Sequence, residues 1–497
     1  MRTPVLALGL AACARPTPTE SVPPPAQHKV AFLVHGYISD AGEFAEMGRA
    51  LAQGGDHGAP LHVHRFDFSR FSRVGSDHNL GVERLGAALG ESVQAVKQQC
   101  PVCRSWANDP VDVSLIGRSF GGYVVREALL QDVPADWGTW EVDRVVTMAS
   151  PLYGSTLTRY STGFLSVIIN GGIRTALMGF VSPERGGAFG HVIDAQIRAM
   201  RLGSPYQLDA HDRMVDWLGG DYPPPWLVVP SLGAADPVRK GDGVVRFSAA
   251  NVASVFPSMG AQTLPIVVRH GHVFAGEPGG REAEELTRAL GAVRHFIDHG
   301  SLDTHAGIAP YAWQSGHLQR LSIDEQSPGA VWLPTNPGAE HEVHRRYERV
   351  ARADLGDVWL RFHRGTPDVD ARILPLAAGL SPLQSSTEWS RRWLDLTVAP
   401  PDHAGTSVVT VGPVDRRHIF LPDVTPTGTW QVSVHLDNGP AVPADSLRIQ
   451  VNGGPLTTGD AVAVAPLQNN VVDVYLIGDT AAEGARVTAV RWTPPGG

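Results

Sequence analysis

From Lys29 to about residue 300 short apolar runs alternate with longer amphipathic ones, and this alternation constrains the fold more than any other feature. KVAFLVHG, LHVHRFDFS, VDVSLIG, VDRVVTMAS, WLVVPSL and LPIVVR read as six strands. DAGEFAEMGRALA, GVERLGAALGESVQAVKQQ, GGYVVREALLQ and REAEELTRALGAVRHFIDH read as helices between and after them. Apolar strands separated by amphipathic helices need cover on both faces, which predicts a mostly parallel sheet in an α/β fold for residues 29–300. The rhythm breaks once. Residues 155–215, including the apolar GFLSVIINGGIRTALMGFV, are far longer than an ordinary connection of about two to six residues. They are expected to form a lid-like insertion, with a helix packed into the core as the alternative.

Beyond residue 300 the texture changes to short β-rich runs bounded by Gly, Pro, Asn and Asp, such as TWQVSVHL, DSLRIQVN and VVDVYLIG. A sandwich-like all-β domain is expected over 396–497, with a β-rich, irregular region over 301–395 that either joins it or stands alone. Trp313, Trp359 and Trp430 lie in this half and offer either a carbohydrate platform or core packing. A carbohydrate or protein contact through the C-terminal β region is therefore one expectation.

At 497 residues the chain is long enough for at least two cores. A formal charge of −9 with no basic block excludes nucleic acid as the partner, because phosphate binding needs concentrated positive charge. Lysine stands only at Lys29, Lys97 and Lys240, so a single arginine carries little information about chemistry. The start, MRTPVLALGLAAC, resembles a lipoprotein signal peptide over residues 1–12, with Cys13 as the lipidated residue. Its apolar run is well short of the roughly twenty residues that span a bilayer. The proline-rich stretch 13–28 then reads as a stiff tether. This implies an exported, membrane-anchored lipoprotein of a bacterial cell envelope. Cys100 and Cys103, in CPVC, remain as a disulfide pair suited to an oxidising compartment. No second ligand pair accompanies them, so no metal is expected, and no cofactor motif stands out.

Chemistry concentrates in five places. Gly117-Arg118-Ser119-Phe120-Gly121 satisfies G-x-S-x-G between a strand and a helix, the context that a nucleophile on a sharp turn requires. A serine hydroxyl needs a base to take its proton and donors for the oxyanion it generates. The backbone N–H groups of Tyr37, in HGY at the end of the first strand, and of Phe120 are the expected oxyanion donors. His35 is read as a structural hydrogen bonder and Asp40 as a helix cap. For the acid, Asp242 in GDGVV is preferred to Asp236 in GAADP. For the base, His272 is preferred to His270 in VVRHGHVF, on the argument that a short loop lets it swing back over Ser119.

These residues resemble the α/β-hydrolase superfamily, more narrowly its lipase-like branch of bacterial lipases and glycosylphosphatidylinositol inositol-deacylase-like serine hydrolases. The resemblance is carried by HGY at 35–37, GRSFGG at 117–122, ASPLYGS at 149–155, LGSPYQL at 202–208 and GDGVV at 241–245. It covers 29–300 and implies ester hydrolysis through an acyl-enzyme, with Ser119, Asp242 and His272 in the matching roles. The sequence departs from the pattern at Arg118, where many relatives carry histidine, and HGHVFAGEP lacks the aspartate of calcium-dependent lipases.

The leading expectation is a serine lipase or carboxylesterase acting on lipid or other acyl esters. Acyl transfer uses the same residues, and a surface-anchored binding protein on a hydrolase scaffold is the non-catalytic alternative. For Arg118, a contact with an anionic head group is one hypothesis, weakly supported in so arginine-rich a chain.

Overall fold

The computed structural model describes residues 28–155, 196–310, 331–376, 394–397, 418–424, 429–464 and 469–493, with shorter breaks inside these ranges. The expected signal peptide with Cys13, Asp236, Trp313 and the apolar part of the insertion at 156–195 lie outside the described residues.

Six parallel strands form the first sheet: β1 (His28–Val34), β2 (Leu61–Phe66), β3 (Val111–Arg118), β4 (Trp140–Met148), β5 (Trp226–Val229) and β6 (Gln262–Thr263). Their order across the sheet is β2-β1-β3-β4-β5-β6. Burial of both faces explains the unbroken apolar runs. Along β1, Val30, Phe32 and Val34 point into one core while Ala31 and Leu33 point into the other, the period-2 alternation of a pleated strand. The first core is closed by α2 (Val82–Gln99) and α4 (Gly121–Leu130), the second by α1 (Ala45–Gln53) and a long C-terminal helix over 281–299. Each fully buried valine or leucine in these layers contributes roughly 1.5–3 kcal/mol. The final strand is displaced from the LPIVVR run: β6 is Gln262–Thr263, and the run itself continues alongside β5 and its extension through the Leu264 N–H to Val228, the Ile266 N–H to Pro230 and the Ser231–Ile266 bridge.

Strand order fixes where a site can form. The chain runs from β1 outward to β2 and then crosses back to β3, so the connections leaving β1 and β3 diverge to opposite faces. The crevice beyond their carboxyl ends is the topological switch point where open α/β sheets bind ligands. Gly36 and Tyr37 follow β1 there, and Ser119 follows β3.

Cys100 and Cys103 are joined as expected, and CPVC opens a short helix: Cys100 caps α3 (Pro101–Ser105) and its sulfur accepts the Cys103 N–H. The later part of the expected insertion, 155–215, runs into α5 (Pro205–Leu218), which packs against α4 as in the core-packed alternative. Tyr206 and Arg213 bond the buried Glu127 of α4, and Gln207 Nε2 donates to Tyr123 Oη at 2.6 Å. Burial pushes the Glu127 carboxyl up, but hydrogen bonds from Arg213, Gln131 and Tyr206 outweigh it and hold it low, so the cluster is a buried ion pair.

The β-rich stretch 301–395 is shared between the two units. After α6 (Phe247–Ala250) and α7 (Arg281–His299), a hairpin of β7 (Ile308–Pro310) and β8 (Trp332–Pro334) still belongs to the first unit. Trp332 is buried in its second core, and Val331 bridges Thr263 of β6. The sandwich includes β9 (Gly356–Thr366) and β10 (Val369–Ile373), within the 301–395 region for which the sequence leaves open joining the sandwich or standing alone. β9 pairs with β12 (His418–Val424) and, in parallel, with β17 (Asn469–Leu476), which continues to β14 (Leu447–Val451) and β15 (Thr457–Thr458). The second sheet is β11-β18-β13-β16, from β11 (Leu394–Thr397), β13 (Thr429–Leu436), β16 (Ala461–Ala463) and β18 (Val487–Thr493). Val358, Leu360, Val472 and Val474 from one sheet meet Val432, Val434, Val490 and Trp492 from the other in a shared core. Trp359 and Trp430 are both buried, Trp430 stacked on Trp492, so neither forms an exposed platform.

The two units are joined by buried polar contacts. Arg361 of β9 bonds Asp473 of β17 through two nitrogens, at 2.5 and 2.7 Å, and also reaches Asp212 of α5. His363 adds a bond to Asp473 at 2.7 Å. Burial pushes the Asp473 carboxyl up, but these hydrogen bonds and the Arg361 charge hold it well below the usual carboxylate range. Nearby, Asn469 Nδ2 donates to the Ser248 carbonyl of α6 at 2.9 Å. Among the described residues, no helix is long and apolar enough to cross a membrane.

Candidate active site

Sterics at the end of β3 select the GRSFGG sequence. A Cβ on Gly121 would lie 2.1 Å from the Val34 carbonyl oxygen, and one on Gly117 would lie 2.6 Å from the Gly121 carbonyl oxygen. Only glycine lets strand and helix approach that closely. Between them Ser119 adopts φ 50°, a left-handed conformation that is unfavourable for a residue with a side chain and aims its hydroxyl out of the turn. The Ser119 N–H is tied to the Met148 carbonyl of β4 at 2.9 Å.

The hydroxyl meets a histidine. His270 Nε2 is 3.0 Å from Ser119 Oγ, and His270 Nδ1 is 2.6 Å from Asp242 Oδ2. Asp242 is buried and rigidly held: its Oδ1 accepts the N–H groups of Val244 and Val245 at 2.9 and 2.7 Å, and its carbonyl accepts the His270 N–H at 3.2 Å. The carboxylate therefore faces Nδ1, which donates, leaving Nε2 as the acceptor for the serine proton.

The expected base, His272, is not part of this chain and gives way to His270. Residues 270–272 form one 3-10 turn, in which side chains two apart diverge by about 120°. Only one can face Ser119, and the bond between the His270 N–H and the Asp242 carbonyl decides which. His272 turns away to Glu282, its Nδ1 2.5 Å from Oε2, beside Arg269. No swinging loop is required, because the apolar run already ends beside the acid turn.

Tyr37, two residues after His35 at the end of β1, and Phe120, directly after Ser119, stand together. Their rings pack edge to face with centroids 6.0 Å apart. A Cβ on Gly36, the residue before Tyr37, would be 3.7 Å from Ser119 Oγ, so this peptide borders the hydroxyl closely. Burial pushes the Tyr37 phenol far above its usual range, so it stays protonated. His35 is fully buried and stacked on Phe68, with Nδ1 at 2.8 Å from the Gly36 carbonyl and Nε2 accepting the Phe68 N–H at 3.0 Å. Burial lowers its pKa, and the neutral imidazole is structural.

Arg118 does not face outward. Its side chain is 8% exposed, and Glu43 neutralises it with a contact of 2.7 Å. The head-group contact expected from sequence is thus corrected. Glu43 itself was missed: it stands three residues after Asp40 in the spacing of a capping box, which suggests a helix-end role. Asp40 does cap that turn, accepting the Gly42 N–H at 2.6 Å, but Glu43 turns toward the site.

Among the described residues, one group has metal-ligand chemistry, His64, Cys100 and Cys103. Its two sulfurs are already joined to each other, and it lies beside α3 and the edge strand β2, in another part of the domain.

A parallel sheet covered on both faces, carrying its serine on a strand-to-helix turn with acid and histidine on later loops, is the α/β-hydrolase fold. No family model matches the chain, and no curated protein matches it in sequence. Among solved structures the chain is similar to phospholipase PlaB from Legionella pneumophila at 13% identity, over 90% of this chain and 93% of that one, with a TM-score of 0.42. It is similar to the propeptide form of a Bacillus licheniformis lipase at 15% identity and a TM-score of 0.35, over 52% of this chain and only 49% of that one. A monoacylglycerol lipase from Paleococcus ferrophilus matches at 14% identity over 55% of this chain and 95% of its own, with a TM-score of 0.31.

Proposed function

We propose that the protein is a serine hydrolase of carboxylic esters, with Ser119 as nucleophile, His270 as general base and acid, and Asp242 holding the imidazole. The observation that carries this is the unbroken chain of contacts from Asp242 Oδ2 through His270 to Ser119 Oγ, at 2.6 and 3.0 Å. Oγ attacks the ester carbonyl carbon as Nε2 takes its proton, and the buried Asp242 stabilises the imidazolium that forms. The tetrahedral oxyanion is held by the N–H groups of Tyr37 and Phe120. Collapse expels the alcohol, which takes the proton from Nε2, and water activated by the same nitrogen releases the acid.

Acyl lipids are the proposed substrate class. The apolar segment GFLSVIINGGIRTALMGFV between β4 and α5 supports this, as does the lipobox-like Leu10-Ala11-Ala12-Cys13, which fits a membrane-anchored setting. Turnover measured across esters from acetyl to palmitoyl tests the reading. Long-chain esters should be hydrolysed, and Ser119→Ala should lower kcat by at least about 10³-fold. Wild-type turnover confined to short esters would remove the lipid assignment, and full activity in Ser119→Ala would remove the mechanism.

A further inference from the structure

The Arg118 guanidinium stands where three loops meet. It is carried by the last residue of β3, directly before Ser119. Its Nη1 donates to Glu43 Oε2 at 2.7 Å and its Nη2 donates to the His270 carbonyl at 2.7 Å. Glu43, equally buried, accepts the Gly36 N–H on Oε1 at 2.9 Å and the Ser39 hydroxyl on Oε2. A Cβ on Gly36 would lie 3.2 Å from Arg118 Nη1 and 3.2 Å from Ser119 Cβ, so the glycine admits the guanidinium beneath the loop. One ion pair thus bonds the loop that presents the Tyr37 N–H and the turn that presents His270, and it grows from the residue next to Ser119.

We propose that Arg118 and Glu43 are a positioning pair for this reaction: together they set where the His270 imidazole and the Gly36–Tyr37 peptide stand relative to Ser119 Oγ. The inference rests on the serine-hydrolase reading. Neither side chain touches the reacting atoms. The fork of the guanidinium matters because its two terminal nitrogens reach a carboxylate on one loop and a carbonyl on another, which a single ammonium cannot do in the same geometry. Burial keeps the contacts from being screened, and loss of the pair lets two loops relax independently. A displacement of about 1 Å between reacting groups costs on the order of 10²-fold in rate.

Kinetics on a neutral soluble ester, with melting temperature measured alongside, test the proposal in Arg118→Lys, Arg118→Met, Glu43→Gln and the double variant Arg118→Met/Glu43→Gln. The double variant leaves no buried charge unpaired, so its folding does not depend on the missing partner. Its kcat should fall about 30- to 100-fold with KM within about threefold and the melting temperature near wild type. Arg118→Lys should recover about tenfold over Arg118→Met by keeping one of the two bonds. A double variant with wild-type kcat overturns the proposal. So does a loss that appears only in KM and only for anionic esters, which would make Arg118 a substrate ligand. Absence of turnover in the wild type, together with failure of a fluorophosphonate to label Ser119, would instead refute the underlying functional reading.

Discussion

The two ends of the parallel sheet treat their carboxylates differently. At the carboxyl end each acid has dedicated donors: Asp242 takes two backbone N–H groups and His270, and Glu43 takes Gly36, Ser39 and Arg118. At the amino end Asp112 of β3 lies near Asp143 and Glu141 of β4, with Lys29 and Arg144 only partly offsetting them. Burial and the neighbouring Asp143 charge push the Asp112 carboxyl up to about 6. The pairing itself differs too: β3 and β4 run in regular register toward the carboxyl end, whereas near the amino end the register shifts between Val113 and Ser114 and passes over Asp143. The loops differ as well. Among the described residues, turns at the carboxyl end point N–H groups at Asp242 and Glu43, and there the acids hold geometry; at the other end the half-buried Asp112 is a cost.

That contrast predicts opposite signs for removing a donor and removing an acid. The largest stability effect is expected at Arg361, whose loss strands the buried Asp473 without its principal counter-charge. Arg361→Leu should destabilise by about 3–5 kcal/mol in denaturant unfolding. A change under 1 kcal/mol would mean that the contacts joining sandwich and hydrolase unit are not structurally important. The smaller effect has the reverse sign. The Asp112 carboxyl binds its proton more tightly folded than unfolded, so its contribution is present below about pH 4 and lost as pH rises through about 6. Asp112→Asn removes that loss. It should stabilise the protein by about 1 kcal/mol at pH 8, discounted for partial exposure, and by nothing measurable at pH 4. Destabilisation at pH 8 would contradict the comparison.

Much of this was legible in sequence for reasons that particular residues show. Glycine at 117 and 121 is demanded by backbone contacts that no other residue survives, so the serine turn announces itself. Asp242 is similarly local, its carboxylate fixed by N–H groups two and three residues ahead. The choice between His270 and His272 was not local. It depends on a bond to a backbone carbonyl 28 residues away, which leaves no trace in the spacing of HGH. The role of Arg118 was hidden for the same reason, because its partners come from loops 75 and 152 residues distant. The sequence leaves open whether 301–395 joins the sandwich because β9 pairs with β17, more than a hundred residues later, and a parallel partner carries no hairpin signal.

The central claim is that His270, not its neighbour in the same turn, activates Ser119. A fluorophosphonate reporter read by peptide mass spectrometry tests it in the wild type, His270→Ala and His272→Ala. The wild type and His272→Ala should label on Ser119 at rates within about threefold of each other, while His270→Ala should label at least about 10³-fold more slowly. Rapid labelling of His270→Ala with loss in His272→Ala, or labelling on any residue other than Ser119, would contradict the account.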